Sequence, residues 1–344
     1  MGRRYTGRAI VFRKPLCAEV HEGVLFPEMD DNGVVLRTLF SGISRGTEMD
    51  LYEGWTHARP PHSQWYPLLP GYMPVGEVIE VGRAVGHLKV GDIAVGSNLF
   101  TGFDERYCPA WAGHTEYAVI SEHSHALGAR RAVPVPAGMD LRTASVALLA
   151  AIAYHGISAK VSPRAGETAL VIGMGGIGHC AVQLCKAAGC RVIAADLSEY
   201  RLEQARLSGA DVTVPCSRTD LWEAVAQLCG EGEPQIIIEV TGEPKVLEDC
   251  LRHAPWNGRV HAQGMYLQPL SLYMPETLFG RNLTFTSTVG EQPDMVARVF
   301  ELILAGRLKL DHLVSRVFRV EQAPQAYEWV YGNPEQCITA VFEW

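Results

Sequence analysis

The sequence lacks the features that mark three large classes of protein. No apolar run among its 344 residues approaches the roughly 20 residues of a transmembrane helix, which argues against a membrane protein. No basic stripe occurs, and the net charge of -8 is made of both signs spread along the chain, so nucleic acid is not expected as a partner. No apolar segment or cleavage site follows the basic N-terminus, and we interpret it as a first strand rather than a signal peptide.

Clustered cysteines are missing as well. The nine cysteines are an odd number, they are scattered along the chain, and no CxxC pair occurs. This pattern argues against a disulfide framework and favours a reducing, cytoplasmic setting. No two of them have the spacing of the clustered ligands of a structural zinc site, so we expect no such site.

The chain is long enough for two domains of ordinary size. Residues 1 to about 130 contain short strand-like runs separated by Gly and Pro, which predict a compact β-rich domain. From TALVIG onward, apolar strands alternate with amphipathic helices, which predicts a parallel sheet covered on both faces. The fold class is therefore α/β, and the short tail is expected to return to the first domain. We predict a β-rich domain of residues 1–150 and 289–344, and a dinucleotide-binding domain of residues 151–288.

The strongest motif is VIGMGGIG, in which Gly173, Gly175 and Gly178 satisfy GxGxxG between an apolar strand and a helix. The first glycine permits a tight turn, the second lets a pyrophosphate approach the backbone, and the third lets the helix pack closely on the strand. The free N–H groups at the helix start would face the phosphates. The motif predicts a Rossmann dinucleotide site.

An acidic residue ends the second strand of this region, RVIAAD. Asp196 lies 18 positions beyond Gly178, where a carboxylate accepts hydrogen bonds from the adenosine ribose and repels a 2′-phosphate. We therefore predict NAD as the cofactor. Arg201 is a complication, because it could pair with Asp196 or stack on adenine. The alternative is that the glycines form an ordinary turn and that Asp196 only caps the next helix.

Over nearly its whole length the chain resembles the medium-chain dehydrogenase/reductase superfamily, which includes zinc alcohol dehydrogenases and quinone reductases. The resemblance is carried by SGISRGTEMDLYEG, LPGYMPVGEVIEVG, GHTEYAVI, GMGGIG and EVTGEPKVLEDCLR. It implies a GroES-like catalytic domain, an inserted Rossmann domain, a small-molecule substrate in a cleft and a homodimer paired through NLTFTST. It also implies further cofactor contacts at Gly176, Ile177, Thr241, Gly264 and Thr288.

The motifs depart from the zinc enzymes of that superfamily at each position that would hold the catalytic metal. Ser44 stands where those enzymes have a cysteine, and Tyr72 stands where they have a histidine. The third region, residues 143–154, contains no Cys, His, Asp or Glu. A catalytic zinc needs about three protein ligands of N, S or O type, and neutral serine and tyrosine are poor ligands. We predict no zinc, and SGISRGTE and YPLLPGY most resemble the bacteriochlorophyllide dehydrogenase branch, which lacks these ligands.

Without the metal, other groups must accept the proton of the substrate alcohol and stabilise the negative charge that develops on its oxygen. The candidates are Thr47, which matches the hydroxyl relay position of the superfamily, Glu48 beside it, and Tyr72. A tyrosine could donate to a substrate oxygen, and a carboxylate in an apolar surrounding could act as a base. The alternatives are that Tyr72 fills the volume of the lost metal and that Glu48 pairs structurally with Arg45 or another arginine.

Two loops of the first domain, residues 55–67 and 98–114, are rich in aromatic and histidine residues. Aromatic faces with polar tips suit a ring-bearing, hydroxylated ligand, although the same side chains could pack against the protein. The substrate candidates are Trp55, His57, Trp65 and Phe100. The sequence thus favours an NAD-dependent, zinc-independent dehydrogenase of a secondary alcohol. Its rivals are a zinc-free quinone or enone reductase and a cofactor-binding scaffold without catalysis.

Overall fold

The chain folds into two compact units. The first, which we call the β-rich unit, comprises residues 1–148, 292–300 and 314–344, and the second, the α/β unit, comprises residues 149–291 and 301–313. No helix in the described part of the chain is long and apolar enough to cross a bilayer. The computed structural model describes residues 4–55, 65–71, 73–98, 101–121, 132–230, 232–290 and 293–344.

The strands in chain order are β1 (Thr6–Lys14), β2 (Cys17–Leu25), β3 (Gly33–Gly42), β4 (Leu68–Leu69), β5 (Pro74–Val81), β6 (Ile93–Val95), β7 (Cys108–Pro109), β8 (Tyr117–Ser121), β9 (Val133–Pro134), β10 (Thr168–Ile172), β11 (Arg191–Asp196), β12 (Val212–Pro215), β13 (Ile236–Glu239), β14 (Arg259–Ala262), β15 (Thr284–Ser287), β16 (Val314–Arg319) and β17 (Thr339–Glu343). The helices are α1 (Arg45–Glu53), α2 (Leu141–Ala144), α3 (Ala147–Gly156), α4 (Gly176–Ala187), α5 (Glu199–Leu207), α6 (Leu221–Leu228), α7 (Pro244–His253), α8 (Pro293–Leu304) and α9 (Ala323–Gly332).

Two sheets build the β-rich unit. One has the order β2-β1-β4-β7, and the other has the order β16-β17-β3-β5-β6-β9, with β8 also paired to β3. Because side chains alternate along a strand, β1 sends Ile10 and Phe12 into one apolar core and Ala9 and Val11 into another. The first of these cores also takes the apolar faces of α1 and α9. The tail strand β17 pairs with β3, so the end of the chain completes this sheet.

The α/β unit contains a six-stranded sheet in the order β12-β11-β10-β13-β14-β15, and every pairing in it is parallel. All five residues of β10 are buried, as expected for a central strand covered on both faces. From β10 the chain first adds strands on one side, β11 and β12, and then on the other side, β13 to β15. Sheets of this kind bind ligands at this switch point, beyond the carboxyl ends of the strands. The predicted combination of a β-rich domain and a parallel Rossmann sheet is confirmed.

The structure divides the C-terminal tail between the two units, whereas the sequence predicted a single assignment. The sequence analysis assigns residues 289–344 wholly to the first domain, whereas residues 301–313 lie in the α/β unit. The amide of Gln183 on α4 holds them there: its Nε2 donates to the carbonyl oxygen of Lys309 (2.9 Å) and its Oε1 accepts from the backbone N–H of Lys309 (2.7 Å).

Candidate functional site

The turn between β10 and α4 depends on three glycines. Gly173 has a φ of +97°, a left-handed conformation that glycine adopts without steric cost. A Cβ on Gly178 would lie 1.9 Å from the carbonyl oxygen of Gly173, so the helix and the turn are in contact there. Gly175, the N-cap of α4, has an ordinary φ of -79°, and no described atom lies within 4 Å of the position its Cβ would take. A phosphate could therefore approach the backbone at Gly175 and the free N–H groups that follow it.

Asp196 holds this turn in place. Its Oδ2 accepts from the backbone N–H of Met174 (2.6 Å), and its Oδ1 accepts from the N–H of Ser198 (2.8 Å). Helix α5 is capped by the Ser198 side chain, which accepts from the N–H of Arg201, and not by Asp196. The Arg201 guanidinium lies 3.9 Å from Oδ2 of Asp196. Each carboxylate oxygen keeps a second acceptor position, so the turn and Asp196 together fit a dinucleotide with free ribose hydroxyls.

The other predicted cofactor residues lie at the same edge of the sheet, because the strands they follow are parallel to β10. Thr241 follows β13, and its Cγ2 lies 3.0 Å from the position of a Cβ on Gly173. Gly264 follows β14, where a Cβ would lie 2.4 Å from the backbone nitrogen of Gly242. Thr288 follows β15, and its Oγ1 lies 3.0 Å from Nδ1 of His155. Gly176 and Ile177 form the half-buried start of α4.

Sequence reasoning missed a buried carboxylate at this edge. Glu239 ends β13 and is fully buried. Its Oε1 accepts from the N–H of Thr241 (2.6 Å) and from the Thr241 hydroxyl, and its Oε2 accepts from the hydroxyl of Tyr266. Burial raises the pKa of Glu239, although these donors act against that shift. Glu239 thus ties together the loops that follow β13 and β14.

In the β-rich unit, the motif SGISRGTEMDLYEG forms the end of β3 and helix α1. Its Glu48 is fully buried and accepts three hydrogen bonds: from the N–H of Ser44 (2.7 Å), Nε2 of His114 (3.0 Å) and the hydroxyl of Tyr327 (2.6 Å). Burial raises the pKa of Tyr327 well above its ordinary value, so this phenol stays a donor. The structure therefore places Glu48 inside the core and gives it structural partners, but none of them is Arg45.

The network continues to the C-terminus of the chain. Nδ1 of His114 lies 2.8 Å from Oγ of Ser41, and that oxygen accepts from Nε1 of Trp344 (2.8 Å). His114 is fully buried, and a side chain on Gly71 would collide with its ring at 2.4 Å. His114 is thus a core residue that joins α1 to the strands, and not one of the polar groups of a ligand pocket.

Asp50 is a second group that sequence reasoning missed. It lies on α1 three residues after Thr47, a spacing that puts both side chains on one face of the helix. Burial, and after it the charge of Glu53, raises the pKa of Asp50 to about 6, while Arg45 acts in the opposite direction. Both Asp50 and Thr47 are half-buried. The available signal was the spacing of Asp50 from Thr47, which places a carboxylate one helical turn from the candidate hydroxyl.

The residues at the positions that match the zinc ligands of the zinc alcohol dehydrogenases do not fit a catalytic zinc. Ser44 is nearly buried and provides a neutral hydroxyl, and its backbone N–H is committed to Glu48. Residues 143–154 provide no Cys, His, Asp or Glu, and Tyr72 lies outside the described residues. Across the described ranges, no group of three or more His, Cys, Asp and Glu side chains is arranged to hold a metal ion.

The aromatic loops divide between core and surface. Phe103 and Tyr107 are buried in the core of the β-rich unit, so these two pack the protein and do not line a pocket. Trp55 is half-buried, and its backbone N–H donates to the carbonyl oxygen of Asp50 (2.9 Å). Trp65 is 53% exposed. The remaining substrate candidates, His57 and Phe100, lie outside the described residues.

Comparison with known proteins agrees with this architecture. Residues 176–305 match the family described as zinc-binding dehydrogenase. The chain is 28% identical over 318 residues to L-threonine 3-dehydrogenase of Bacillus subtilis (strain 168), covering 89% of this chain and 90% of that one. It is 25% identical to D-arabinitol dehydrogenase 1 of Uromyces fabae over 91% of this chain and 90% of that one.

A solved structure extends the likeness to the full fold. A short chain alcohol dehydrogenase from E. coli CFT073, complexed with NADH, superposes with a TM-score of 0.82 at 22% identity, covering 98% of this chain and 99% of that one. The chain therefore has the same fold as this alcohol dehydrogenase.

Proposed function

We propose that the protein is an NAD-dependent, zinc-independent dehydrogenase that oxidises a secondary alcohol of a ring-bearing small molecule such as a sugar or cyclitol. It is an oxidoreductase acting on CH–OH groups, as its named relatives are. The observation that carries the proposal is the hydrogen bond between the Met174 N–H of the glycine turn and Asp196. It places the start of α4, which can bind phosphates, next to a carboxylate that can accept hydrogen bonds from the ribose. When bound, NAD supplies the hydride acceptor.

The charge at this turn supports NAD over NADP. A 2′-phosphate on the adenosine ribose would stand next to the Asp196 carboxylate, and like charges at that distance repel each other. Arg201 lies 3.9 Å from the same carboxylate and is balanced by it, which leaves little positive charge to attract a phosphate. The protein's own contribution is thus to orient the ribose and to disfavour the phosphorylated cofactor.

For the proton, we propose that Thr47 contacts the substrate hydroxyl and that Asp50 receives the proton. A half-buried carboxylate with a pKa of about 6 is ionised at neutral pH yet close enough to it to exchange protons readily. Glu48 then positions α1 from within the core, since its oxygens are already occupied by three donors. Tyr72 remains a candidate donor to the substrate oxygen, and zinc is not part of this scheme.

Cofactor titration tests the proposal. Fluorescence titration should show NADH binding at least about tenfold tighter than NADPH, a difference of about 1.4 kcal/mol. Asp196→Ala should weaken NADH binding about 10- to 100-fold, because hydrogen bonds to a charged acceptor contribute about 1.5–3 kcal/mol. The matched variant Asp196→Asn keeps an acceptor oxygen for Met174, so it should retain more NADH affinity while losing discrimination against NADPH. Tighter binding of NADPH to the unaltered protein, or one zinc per purified chain, would contradict the proposal.

A substrate screen should follow NADH formation with ring alcohols, open-chain polyols and L-threonine. If the protein reduces quinones or enones and is inactive towards every alcohol, it is a C=C reductase and not an alcohol dehydrogenase. Binding of cofactor with no turnover of either class would favour a scaffold.

The role of Asp50 predicts a specific pH dependence. In the unaltered enzyme, kcat/KM should fall as the pH drops through about 6, because the base must be ionised. Asp50→Asn should lower kcat/KM about 100-fold, within the range for general base catalysis, and remove that limb of the profile. Since folding raises the pKa of Asp50, its ionised form destabilises the fold above pH 6, so the variant should be at least as stable as the parent at pH 7. An unchanged pH profile in Asp50→Asn would eliminate it as the base.

We also propose a homodimer. Strand β15 ends the sheet in the described part of the α/β unit and so leaves one edge available for pairing. Apolar side chains near it in sequence are exposed, among them Phe279 (78%), Val289 (74%) and Tyr273 (60%). Sedimentation velocity should give about twice the chain mass of 37.7 kDa, and a single species at the chain mass would rule the dimer out.

We propose a cytoplasmic location because the cysteines form no disulfide bonds. No disulfide bond joins any of the nine cysteines, and Cys180 and Cys250 are fully buried. Proteins of oxidising compartments seldom keep so many free thiols. Fractionation of the source cells should recover the protein with cytoplasmic markers, and recovery from a secreted fraction would contradict this.

A further inference from the structure

The loops that follow β13 and β14 meet backbone to backbone. A Cβ on Gly264 would lie 2.4 Å from the backbone nitrogen of Gly242. Gly242 has a φ of +81°, and a Cβ there would lie 2.7 Å from the carbonyl oxygen of Met265. Neither glycine has room for a side chain, so the two loops cross in direct contact and the position of one constrains the position of the other.

The carboxylate of Glu239 lies next to this crossing. Its Oε2 is 3.4 Å from the position that a Cβ on Gly264 would take, and the side chain is fully buried. It accepts hydrogen bonds from both loops: from the N–H (2.6 Å) and the hydroxyl of Thr241 on the first, and from the hydroxyl of Tyr266 on the second. One buried group thus holds the two loops together.

The donors around Glu239 favour its ionised form. Three donors point at its two oxygens, which is an arrangement that suits a carboxylate. The Thr241 hydroxyl oxygen itself accepts from the N–H of Glu243 (3.1 Å), which directs its proton towards Glu239. Burial raises the pKa of Glu239, while the hydrogen bonds from Thr241 and Tyr266 act against that shift. All three donors are neutral, so none of them cancels the negative charge.

The topology of the sheet relates this charge to the dinucleotide site. Asp196 and the glycine turn follow β11 and β10, and they suit the adenosine and the phosphates. Strands β13 and β14 lie on the other side of β10, and a dinucleotide that crosses the switch point extends over their carboxyl ends. Thr241 Cγ2 lies 3.0 Å from the Cβ position on Gly173, so the first loop adjoins the glycine turn. The nicotinamide half would therefore face the loops that Glu239 holds.

We propose, on the basis of the proposed function, that Glu239 positions these loops for the nicotinamide and that its buried negative charge favours the oxidised cofactor over the reduced one. The oxidised nicotinamide ring carries a positive charge that the reduced ring lacks, so only the oxidised form is attracted by a nearby anion. Shielding from water strengthens such an attraction. An enzyme that oxidises alcohols begins each turnover with the oxidised cofactor, so this preference suits the proposed direction.

The ratio of two dissociation constants tests the role of the charge. Isothermal titration of the full-length protein at pH 7 gives the Kd of NAD+ and the Kd of NADH. Glu239→Gln keeps the side-chain volume and one acceptor oxygen but removes the charge. The Kd of NAD+ should rise about tenfold relative to the Kd of NADH. A purely structural role would weaken the binding of both forms alike and leave the ratio unchanged.

Two further variants separate charge from position. Glu233→Gln is the matched control, because it removes the same charge just before the amino end of β13, where Glu233 accepts from the Thr168 hydroxyl (3.0 Å). It should leave the ratio unchanged. Tyr266→Phe keeps the charge of Glu239 and removes its hydrogen bond to the second loop. It should weaken the binding of both cofactor forms by a similar factor.

The outcomes distinguish this inference from the proposed function. An unchanged ratio in Glu239→Gln with binding intact, or an equal change of the ratio in Tyr266→Phe, would overturn the inference alone. Failure of the unaltered protein to bind any nicotinamide dinucleotide would remove both. If NADPH binds tighter than NADH, the two NADP forms are titrated instead. If Glu239→Gln does not fold, the infrared difference spectrum between the unaltered protein and Glu239→Asp should contain carboxylate bands only, and a band of a protonated carboxyl group would overturn the inference.

Discussion

Replacing Gly175 by alanine is expected to weaken NADH binding about 100-fold while leaving the fold intact. Alanine is compatible with the φ of -79° at this residue, and its Cβ would meet no described atom within 4 Å. That same space is where a pyrophosphate must approach the helix start, and loss of hydrogen bonds to a charged group weakens binding by about 1.5–3 kcal/mol for each bond. Isothermal titration with NADH gives the affinity, and urea unfolding gives the stability.

Gly178→Ala is the matched contrast, because it should fail for a different reason. Its Cβ would lie 1.9 Å from the carbonyl oxygen of Gly173, a backbone atom that cannot move without opening the turn. Overpacking of this kind costs about 1–3 kcal/mol or more, which exceeds the gain of about 1 kcal/mol that alanine brings to a helix interior. The free energy of unfolding should therefore fall in Gly178→Ala and not in Gly175→Ala. Unchanged NADH affinity in Gly175→Ala would show that no phosphate approaches there.

The glycine turn was predictable from the sequence because its requirements are local. A tight turn, a close approach and a helix start all lie within a few residues, and only glycine meets the steric demands at Gly173 and Gly178. The parallel sheet was predictable for a similar reason, since buried strands such as β10 are apolar throughout.

The partners of Glu48 could not be predicted in this way. His114 and Tyr327 lie 66 and 279 positions away from it, and no spacing rule connects residues so distant in sequence. Whether a carboxylate faces a substrate or a core depends on that tertiary contact, as does the raised pKa of Asp50. The aromatic loops posed the same problem, because composition does not distinguish Phe103 in a core from a ring in a pocket.

Glu48→Ala is expected to lower the free energy of unfolding by about 3–5 kcal/mol, which is the range for removing one partner of a buried charged network. The variant would leave Nε2 of His114, the hydroxyl of Tyr327 and the N–H of Ser44 buried without their acceptor. Glu48→Gln should lose less, because it keeps one acceptor oxygen and the side-chain volume. Glu53→Ala, at an exposed position of the same helix, is the control and should change stability by about 0.5 kcal/mol or less. Urea unfolding at neutral pH measures all three.

A double-mutant cycle then separates a core role from direct catalysis. If Glu48 acts through Tyr327, Glu48→Gln and Tyr327→Phe should be non-additive by about 0.5–3 kcal/mol in stability, the range for residues in one hydrogen-bonded network. Both variants should also lower kcat/KM in proportion to their loss of folded protein, because the position of α1, and with it Thr47 and Asp50, depends on this network. A fully stable Glu48→Gln with a large loss of kcat would instead place Glu48 among the groups that touch the substrate. The stability measurement therefore decides whether the motif's most buried acid holds the helix or carries the proton.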